Sequence, residues 1–370
     1  MRGRIVAAAF LNVWRNALAT ARIDLVLGTD GSEAVNRTFW VAAQRMHLPL
    51  LFCTGAGPLD RTMQWDRTVM VQSWVDRNMI ANPRPESLEY ARKFLATTRT
   101  HEPVIGGSRP SMFNRERIRL AVRYWRGRRF GAGGPVDSHP IGYAFAQLFK
   151  ASYANIRSRR LVQPTPAAPF FFLPLHVPND AQITVRHPEY VHQADLVRLV
   201  AAALPSGVSL VVKEHPHAVG AMGYAQLREM AEIPNVKVVA AALSAHALIR
   251  QSVGVVTLNS DVGWEAILWG KPVVVIGRPF YDIPPYAIRA HDGQDLSTAL
   301  VAALKQEPTK DTAILALVAA VKDSSYDGSF FKAGSGTELD DSKENGRLLA
   351  AGVLAAVKRF YPDLGAKAAA

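Results

Sequence analysis

Short apolar runs that end in Gly, Asn or Asp recur along this sequence, and each is followed by a segment whose apolar residues have helical spacing. Such alternation is typical of strands and helices arranged around parallel β-sheets. The pattern predicts an α/β fold with two doubly wound domains that face a cleft. The predicted strands cover residues 23–27, 48–53, 170–175, 208–213, 236–239, 255–258 and 272–276.

The segment 163–169, which reads QPTPAAP, is the best candidate for a domain boundary. Its three prolines lack the amide hydrogen and restrict the residues before them, so a helix cannot continue through it. A chain of 370 residues is long enough for two domains that each bury a core. We therefore predict a first domain over residues 1–165, a second over 166–345, and a C-terminal helix and tail over 346–370 that can pack back on the first domain. Within the second domain, residues 323–345 are predicted as a polar loop.

The charge balance indicates an anionic partner. The chain has 43 Lys and Arg residues against 31 Asp and Glu residues, a formal net charge of +12. Nucleic acid, an anionic lipid surface and a phosphorylated substrate all suit that charge. The single cysteine, Cys53, excludes an internal disulfide and a thiolate metal cluster, which suits a reducing cytoplasm.

Residues 1–22 are predicted to form an amphipathic helix. Asn12, Arg15 and Asn16 interrupt the apolar stretch where a signal peptide needs a continuous core. No stretch of the chain reaches the roughly 18 apolar residues that a membrane-spanning helix needs. We expect the helix to pack on its own domain, with attachment to a membrane surface as the alternative. Its apolar side is predicted to comprise Ile5, Ala8, Phe10, Leu11, Val13 and Trp14.

Several common site motifs are absent from the sequence. It contains no Gly-x-x-x-x-Gly-Lys-Ser/Thr, Gly-x-Gly-x-x-Gly, His-Glu-x-x-His, Gly-x-Ser-x-Gly or Asp-x-Asp motif. The sequence therefore contains no local motif for binding a nucleotide through a metal ion or for hydrolysis by a serine nucleophile. We expect neither a metal ion nor a resident cofactor.

Two motifs at predicted strand ends carry the candidate chemistry. The first is VVKEHPH at 211–217, where an apolar strand ends in a cation, a carboxylate and an imidazole. Lys213 and His215 are expected to face the cleft, and Pro216 to fix the direction in which the chain leaves the strand. The alternative for His215 is a structural histidine whose ring bonds a backbone carbonyl.

The second motif is VVTLNSDVGWEA at 255–266. Asn259 and Ser260 can each cap the helix that follows, and the free amides at a helix start form a phosphate site. Gly263 allows a ligand or a neighbouring strand to approach the first helical turn. Glu265 can bond a ribose hydroxyl, and it can equally serve through its interaction with the positive end of the helix.

Both motifs resemble sequence blocks of the bacterial capsule polysaccharide biosynthesis proteins. The resemblance lies in TLNSDVGWEA at 257–266, GKP at 270–272 and KEHP at 213–216, and it extends to LHVPNDAQ at 175–182 and GAGPLDRT at 55–62. That family includes transferases that add 3-deoxy-manno-octulosonic acid (Kdo) from CMP-Kdo, built as two Rossmann-like domains in the GT-B arrangement. The resemblance thus implies a GT-B-like fold.

The same resemblance implies roles for the motif residues. Lys213 and His215 would contact the donor phosphate. Pro216 would fix the conformation of the segment that carries them. Ser260 and the neighbouring Asn259 would complete the phosphate cradle. The carboxylate that the family places near the ribose or cytosine would be Glu265, with Gly263 in the same helical turn.

A transferase also needs a base or a nucleophile. Asp30 and Asp180 lie beside predicted strand ends, and His215 is a third catalytic candidate. The alternative for Asp180 is a turn residue, and double displacement and direct inversion both stay open. Asp261 stands where related sequences tend to carry a second hydroxyl residue. A carboxylate beside a phosphate costs electrostatic energy unless it points away or is protonated.

Together these observations predict a cytoplasmic, metal-independent glycosyltransferase of capsule or related surface polysaccharide synthesis. The donor of first choice is CMP-Kdo or another CMP-linked acidic sugar, with UDP- and CDP-linked donors behind it, and the acceptor is a glycan or a lipid-linked molecule. Other expected partners are polysaccharide assembly proteins and an anionic inner membrane, to which the protein would attach peripherally. The second domain would hold the nucleotide. The residues expected on the acceptor side are Gly28, Asp30, Thr54, Gly57 and Arg61.

Two rival functions remain open from the sequence. The arginine-rich segment 115–129, with Tyr124 and Trp125 among its arginines, resembles a phosphate-tracking surface with aromatic platforms, as in a nucleic-acid-binding module. No recognised nucleic-acid fold motif accompanies it. The other rival is a non-catalytic component of polysaccharide export, which would bind no nucleotide.

Overall fold

The structure is a computed structural model of the chain. It describes residues 2–21, 23–29, 34–53, 58–59, 62–100, 156–167, 169–178, 180–291, 293–330 and 340–364. The arginine-rich segment 115–129 lies outside these residues, and its role stays a prediction. None of the helices in the described ranges is both long enough and apolar enough to span a bilayer.

The first half of the chain builds a small sheet with a helical layer. Strands β1 and β2 pair in parallel, and β4 joins β2 in the antiparallel direction. Trp40 and Phe52 pack between the sheet and the first two helices. The elements described in this half are α1 (Arg2–Thr20), β1 (Val26–Thr29), α2 (Ala34–Arg45), β2 (Leu50–Cys53), β3 (Thr62–Met63), β4 (Trp65–Asp66), α3 (Asn78–Ala81) and α4 (Pro85–Thr100).

A parallel six-stranded sheet forms the centre of the second half. Its strands are β5 (Phe170–Pro174), β6 (Ser209–Lys213), β7 (Val236–Val239), β8 (Gly254–Thr257), β9 (Val273–Val275) and β10 (Ile288–Arg289). The strand order is β10-β9-β8-β5-β6-β7, the order of a Rossmann-like doubly wound sheet. In the register of the central strands, Phe172 lies beside Val211 on one side and Val255 on the other.

Both faces of this sheet are buried, which explains why its strands are continuous apolar runs. Phe170 and Phe172 contribute to the core on one face, while Phe171 and Leu173 contribute to the core on the other. Successive side chains of a strand point to opposite faces, so one apolar run supplies both cores. The helices of this half are α5 (Ala181–Thr184), α6 (Gln193–Ala203), α7 (Tyr224–Ala231), α8 (Ala245–Gln251), α9 (Asp261–Leu268), α10 (Gly293–Lys305) and α11 (Asp311–Ser324).

Elements of the two halves pack across the predicted boundary. Helices α3 and α4 contact α11, and Ala91 and Leu95 of α4 join the core of the large sheet. Strand β11 (Tyr326–Asp327) pairs antiparallel with β3. The last helix, α12 (Lys343–Phe360), packs its Ala356 against the small sheet. The domain boundaries at residues 165 and 345 remain predictions. Elements on opposite sides of these boundaries share hydrophobic cores.

The α/β class and the doubly wound sheet of the second half are confirmed. Most predicted strands begin or end within one or two residues of the observed ones, while the strand predicted at 23–27 runs over Val26–Thr29 instead. The stretch predicted as a polar loop at 323–345 contains β11, because the backbone of Tyr326 pairs with Met63. Helix α1 packs against α2 as expected, yet Val13, predicted on its apolar side, is exposed.

Candidate functional site

A pocket of about 760 Å³ lies at the carboxyl edge of the large sheet. The chain runs from β5 outward to β7 and then returns to the other side of β5 to form β8, so the strand order reverses between β5 and β8. Open α/β sheets bind ligands at this switch point. The lining comprises Phe172, Pro174, Leu175, Lys213, Glu214, His215, Pro216, Ser244, Ala245, His246, Ser260, Asp261, Val262 and Glu265.

The segment after β6 places a cation, a carboxylate and an imidazole on the pocket wall. Lys213 is buried, and its Nζ donates to the carbonyl of Ala241 at 3.2 Å. Burial lowers the pKa of Lys213, and the nearby Glu265 carboxylate partly opposes that shift. Glu214 is buried as well and accepts from the amide of Gly220 at 3.1 Å, while burial raises its pKa.

His215 differs from its two neighbours because its side chain is exposed. Pro216 follows it and begins a short 3₁₀ turn over Pro216–Ala218. The amide of Ala218 donates to the carbonyl of His215 at 2.9 Å, which fixes the backbone direction after the strand. The imidazole therefore lies at the mouth of the pocket, within reach of a ligand.

The start of α9 forms the opposite wall. Ser260 is the N-cap, and its hydroxyl accepts from the amide of Val262 at 3.3 Å. The Tyr281 hydroxyl donates to the Ser260 carbonyl. Gly263 packs against the ring of this tyrosine, and a Cβ at that position would overlap it. The close approach that the sequence predicted at Gly263 is thus made by Tyr281.

Glu265 pairs with a histidine that the sequence did not single out. Its Oε2 lies 3.4 Å from Nε2 of His246. His246 belongs to α8, which follows β7, and Ser244 caps that helix by accepting from the amide of Ala247 at 3.2 Å. The Nδ1 atom of His246 is buried and makes no hydrogen bond within the described residues. The sequence feature that could have identified His246 is its position in a helix that follows β7 and begins with a serine N-cap.

Asp261 lies in the first turn of α9 and belongs to the wall that this helix forms. Its side chain reaches the surface of the pocket, yet the surrounding protein displaces enough water to raise its pKa to about 6. The carboxylates of Glu265 and Asp180 raise that pKa further, and the Arg186 guanidinium lowers it. The site therefore holds a carboxyl group that gains a proton in mildly acidic solution.

A sequence model of the family described as "Capsule polysaccharide biosynthesis protein" matches residues 142–309, which include both motifs and every residue that lines the pocket. This match covers a little under half of the chain, and over that segment the chain is similar to the capsule polysaccharide biosynthesis family.

Individual relatives match over part of their length. Protein FixF of Sinorhizobium fredii is 31% identical over 186 residues, which cover 49% of this chain and 41% of FixF. The capsule polysaccharide modification protein LipB of Neisseria meningitidis serogroup A is 26% identical over 139 residues, or 35% of this chain and 33% of LipB. The matched part of the chain thus spans less than half of either relative. The chain also resembles the solved structure of Thermosulfurimonas dismutans KpsC, beta Kdo 2,4 transferase, with a TM-score of 0.44, 19% identity, and coverage of 81% of this chain and 79% of that one.

Within the family segment, the pocket brings together five of the predicted donor-site residues, namely Lys213, His215, Pro216, Ser260 and Glu265. Asn259 lies just behind the lining, where its Oδ1 accepts from the amide of Arg278 at 3.0 Å. Asp180 caps α5 and accepts from the amide of Gln182 at 2.9 Å, as the turn interpretation predicted.

The acceptor-side predictions lie in the first half. Gly28 belongs to β1, and a Cβ there would lie 3.0–3.2 Å from the rings of Trp40 and Phe52, so a side chain at this position would require those rings to shift. The remaining acceptor-side candidates lie outside the described residues, and they are Asp30, Thr54, Gly57 and Arg61. In the part of the chain that the structure describes, no group of three or more His, Cys, Asp and Glu side chains is arranged to hold a metal ion.

The burial of His176, close to the pocket, predicts that the folded protein loses stability as the pH falls. Burial lowers its pKa from 6.5 to about 4, so the folded protein resists a proton that the unfolded chain accepts. Stability is then fully present above about pH 6.5 and is lost as the pH falls towards 4, by up to about 3 kcal/mol. Urea unfolding at about pH 7 and about pH 5 should show a smaller acid loss for His176→Asn than for the wild type. Equal losses in both proteins would contradict this assignment.

Proposed function

We propose that this chain is a glycosyltransferase of capsule or related surface polysaccharide synthesis, and that its switch-point pocket binds the nucleotide of a sugar donor. The observation that carries the proposal is the convergence of the segment at 213–216 and the Ser260 helix start on one pocket of a Rossmann-like sheet. The match of residues 142–309 to the sequence model of the capsule family supports the same assignment.

Each wall of the pocket has a part in the proposed chemistry. The amides at the start of α9 and the ammonium group of Lys213 would bind the donor phosphate. His215, at the mouth, would donate a hydrogen bond to the phosphate oxygen that gains charge as the sugar departs. Fixed donors of this kind stabilise a leaving group electrostatically, so the proposed reaction needs no metal ion.

The Glu265–His246 pair is proposed to bind the nucleoside. In the proposed complex, Glu265 accepts from a ribose hydroxyl while His246 holds the carboxylate in position. The base or nucleophile is proposed to be Asp180 or Asp30. In support of Asp180, its charge is near enough to Asp261, a residue of the pocket lining, to raise the pKa of that carboxyl group. CMP-linked acidic sugars are the proposed donors, and a glycan or lipid-linked molecule the proposed acceptor.

A thermal-shift titration with CMP, UDP and CDP tests the proposal, because a ligand that binds only the native state raises its melting temperature. We expect CMP to stabilise the protein most, and His215→Ala and Ser260→Ala to weaken that effect. His192→Ala is the matched control, because His192 is an exposed histidine of the same half and lies outside the pocket lining. A protein that no nucleotide stabilises would favour the non-catalytic export role instead.

Asp261 predicts a pH dependence of nucleotide binding. Its ionised carboxylate repels a phosphate at the start of α9, and this repulsion falls as the pH drops through about 6. Asp261→Asn should therefore bind the stabilising nucleotide more tightly at about pH 8, and the advantage over the wild type should shrink at about pH 5. The nucleotide's own phosphate titrates equally in both measurements. Its effect therefore cancels in the ratio of the variant's dissociation constant to that of the wild type. A ratio that stays constant with pH would remove Asp261 from the phosphate site.

A further inference from the structure

A second pocket, with three arginines in its lining, lies where the two halves of the chain meet. It measures about 380 Å³ and shares no lining residue with the switch-point pocket. Arg77 comes from the first half, while Arg278 and Arg289 come from the second. We call it the arginine pocket and define it by these three arginines and Asp282.

Its charges do not balance. Arg289 pairs with Oδ2 of Asp282, and Nε of Arg278 lies 3.7 Å from the same oxygen. Arg77 donates to the backbone carbonyl of Asp282 at 3.4 Å. Asp282 is the one carboxylate among the residues that line the pocket, so it faces three guanidinium groups. Two positive charges are left without a neutralising partner in the lining.

Arg289 carries the clearest sign of an unmet interaction. Its Nε is buried and makes no hydrogen bond within the described residues. After burial itself, the positive charges of Arg278 and Arg77 are what lower its pKa. A buried donor without an acceptor is costly, and native proteins satisfy most such groups. An anion in the pocket would accept from Nε and relieve the repulsion among the arginines.

The pocket is held in shape by contacts between the two halves. The amide of Gln72 donates to the carbonyl of Arg278 at 3.0 Å, and the Gln72 side chain accepts from the amide of Phe280 at 3.3 Å. Trp74 stacks on Phe280 with ring centroids 5.0 Å apart. The arginines therefore need little rearrangement before they bind a ligand.

We propose that the arginine pocket binds an oxyanion, either the carboxylate of an acidic sugar or a phosphate group. Guanidinium groups are planar and present paired donors that match both kinds of oxyanion. The inference goes beyond the donor site, because it concerns residues that the nucleotide would not contact. It holds whether or not the switch-point pocket binds a nucleotide.

The test uses the full chain labelled with ¹⁵N-arginine and follows the Nε–Hε signals by NMR. We expect the Arg289 signal, assigned by its absence from Arg289→Gln, to shift and saturate with inorganic phosphate, with glucuronate, or with both. The anion that acts more strongly identifies the source. Arg278→Gln should weaken the binding about tenfold, as expected for loss of a charged hydrogen bond. Arg228→Gln, which alters an exposed arginine on α7, should leave it unchanged.

Asp282→Asn supplies a test of opposite sign. The carboxylate competes with the anion for the same guanidinium groups, so its removal should tighten binding several-fold. An Arg289 signal that does not move with either anion, or that moves equally with uncharged glucose, overturns the proposal. So does an Asp282→Asn variant that binds no better. A parallel CMP titration of the same sample reports on the donor site separately, so failure of one proposal is distinguishable from failure of the other.

Discussion

Replacing His215 with Ala is expected to lower the turnover of the donor by about 10²–10³-fold, the usual cost of removing one fixed donor from a developing negative charge. The imidazole is exposed at the mouth of the pocket, so its removal leaves no cavity in the core. The melting temperature should therefore remain close to that of the wild type. The measurement is the rate of nucleotide release from the donor whose nucleotide stabilises the protein, together with a thermal melt.

A control variant and two contrary outcomes test this prediction. His192→Ala removes another exposed imidazole from the same half of the chain, and it should retain full turnover. If His215→Ala unfolds, His215 is a structural histidine. If it folds and turns over the donor at the wild-type rate, the imidazole has no part in stabilising the leaving group.

Replacing Trp74 with Ala is expected to destabilise the protein by about 3–5 kcal/mol, the range for removing a large aromatic side chain from a core. Trp74 belongs to the first half of the chain, is 1% exposed, and stacks on Phe280 of the second half. The substitution would therefore leave a cavity in the junction between the two halves. Urea unfolding followed by circular dichroism measures the loss.

Trp74→Phe is the matched variant. It keeps an aromatic ring against Phe280 and should lose much less stability than Trp74→Ala. A loss below about 1 kcal/mol for the alanine variant would show that the junction adapts to the missing ring, and that it contributes little to holding the halves together.

The strands of the large sheet were predictable because each is marked in the sequence by its own run of apolar residues. Runs such as Phe170–Pro174 are buried on both faces, so every position is apolar and the run stands out without an alignment. The meeting of Lys213 and Ser260 at one pocket was predictable for a related reason. Parallel strands end at the same edge of a sheet, and β6 and β8 lie on either side of β5, so residues at their carboxyl ends face the same crevice.

Other parts of the site depend on tertiary contacts that no local pattern encodes. His246 becomes a site residue because α8 places it 3.4 Å from Glu265. The Oδ1 atom of Asn259 accepts from the backbone amide of Arg278, a contact with the neighbouring loop that the motif did not indicate, while its role in the phosphate cradle stays a prediction. The arginine pocket joins residues about two hundred positions apart in the sequence, with Arg77 on one side and Arg289 on the other.

The packing of α4 and α11 has a consequence for exchanging segments between related proteins. The core beneath the large sheet includes Ala91 and Leu95, which precede that sheet in the chain by a long interval. A chimaera cut at the proline-rich segment would inherit the sheet without these side chains and would present bare apolar surface to water. When the second half of the chain is exchanged between two relatives, the segment that contains α3 and α4 should therefore be exchanged with it.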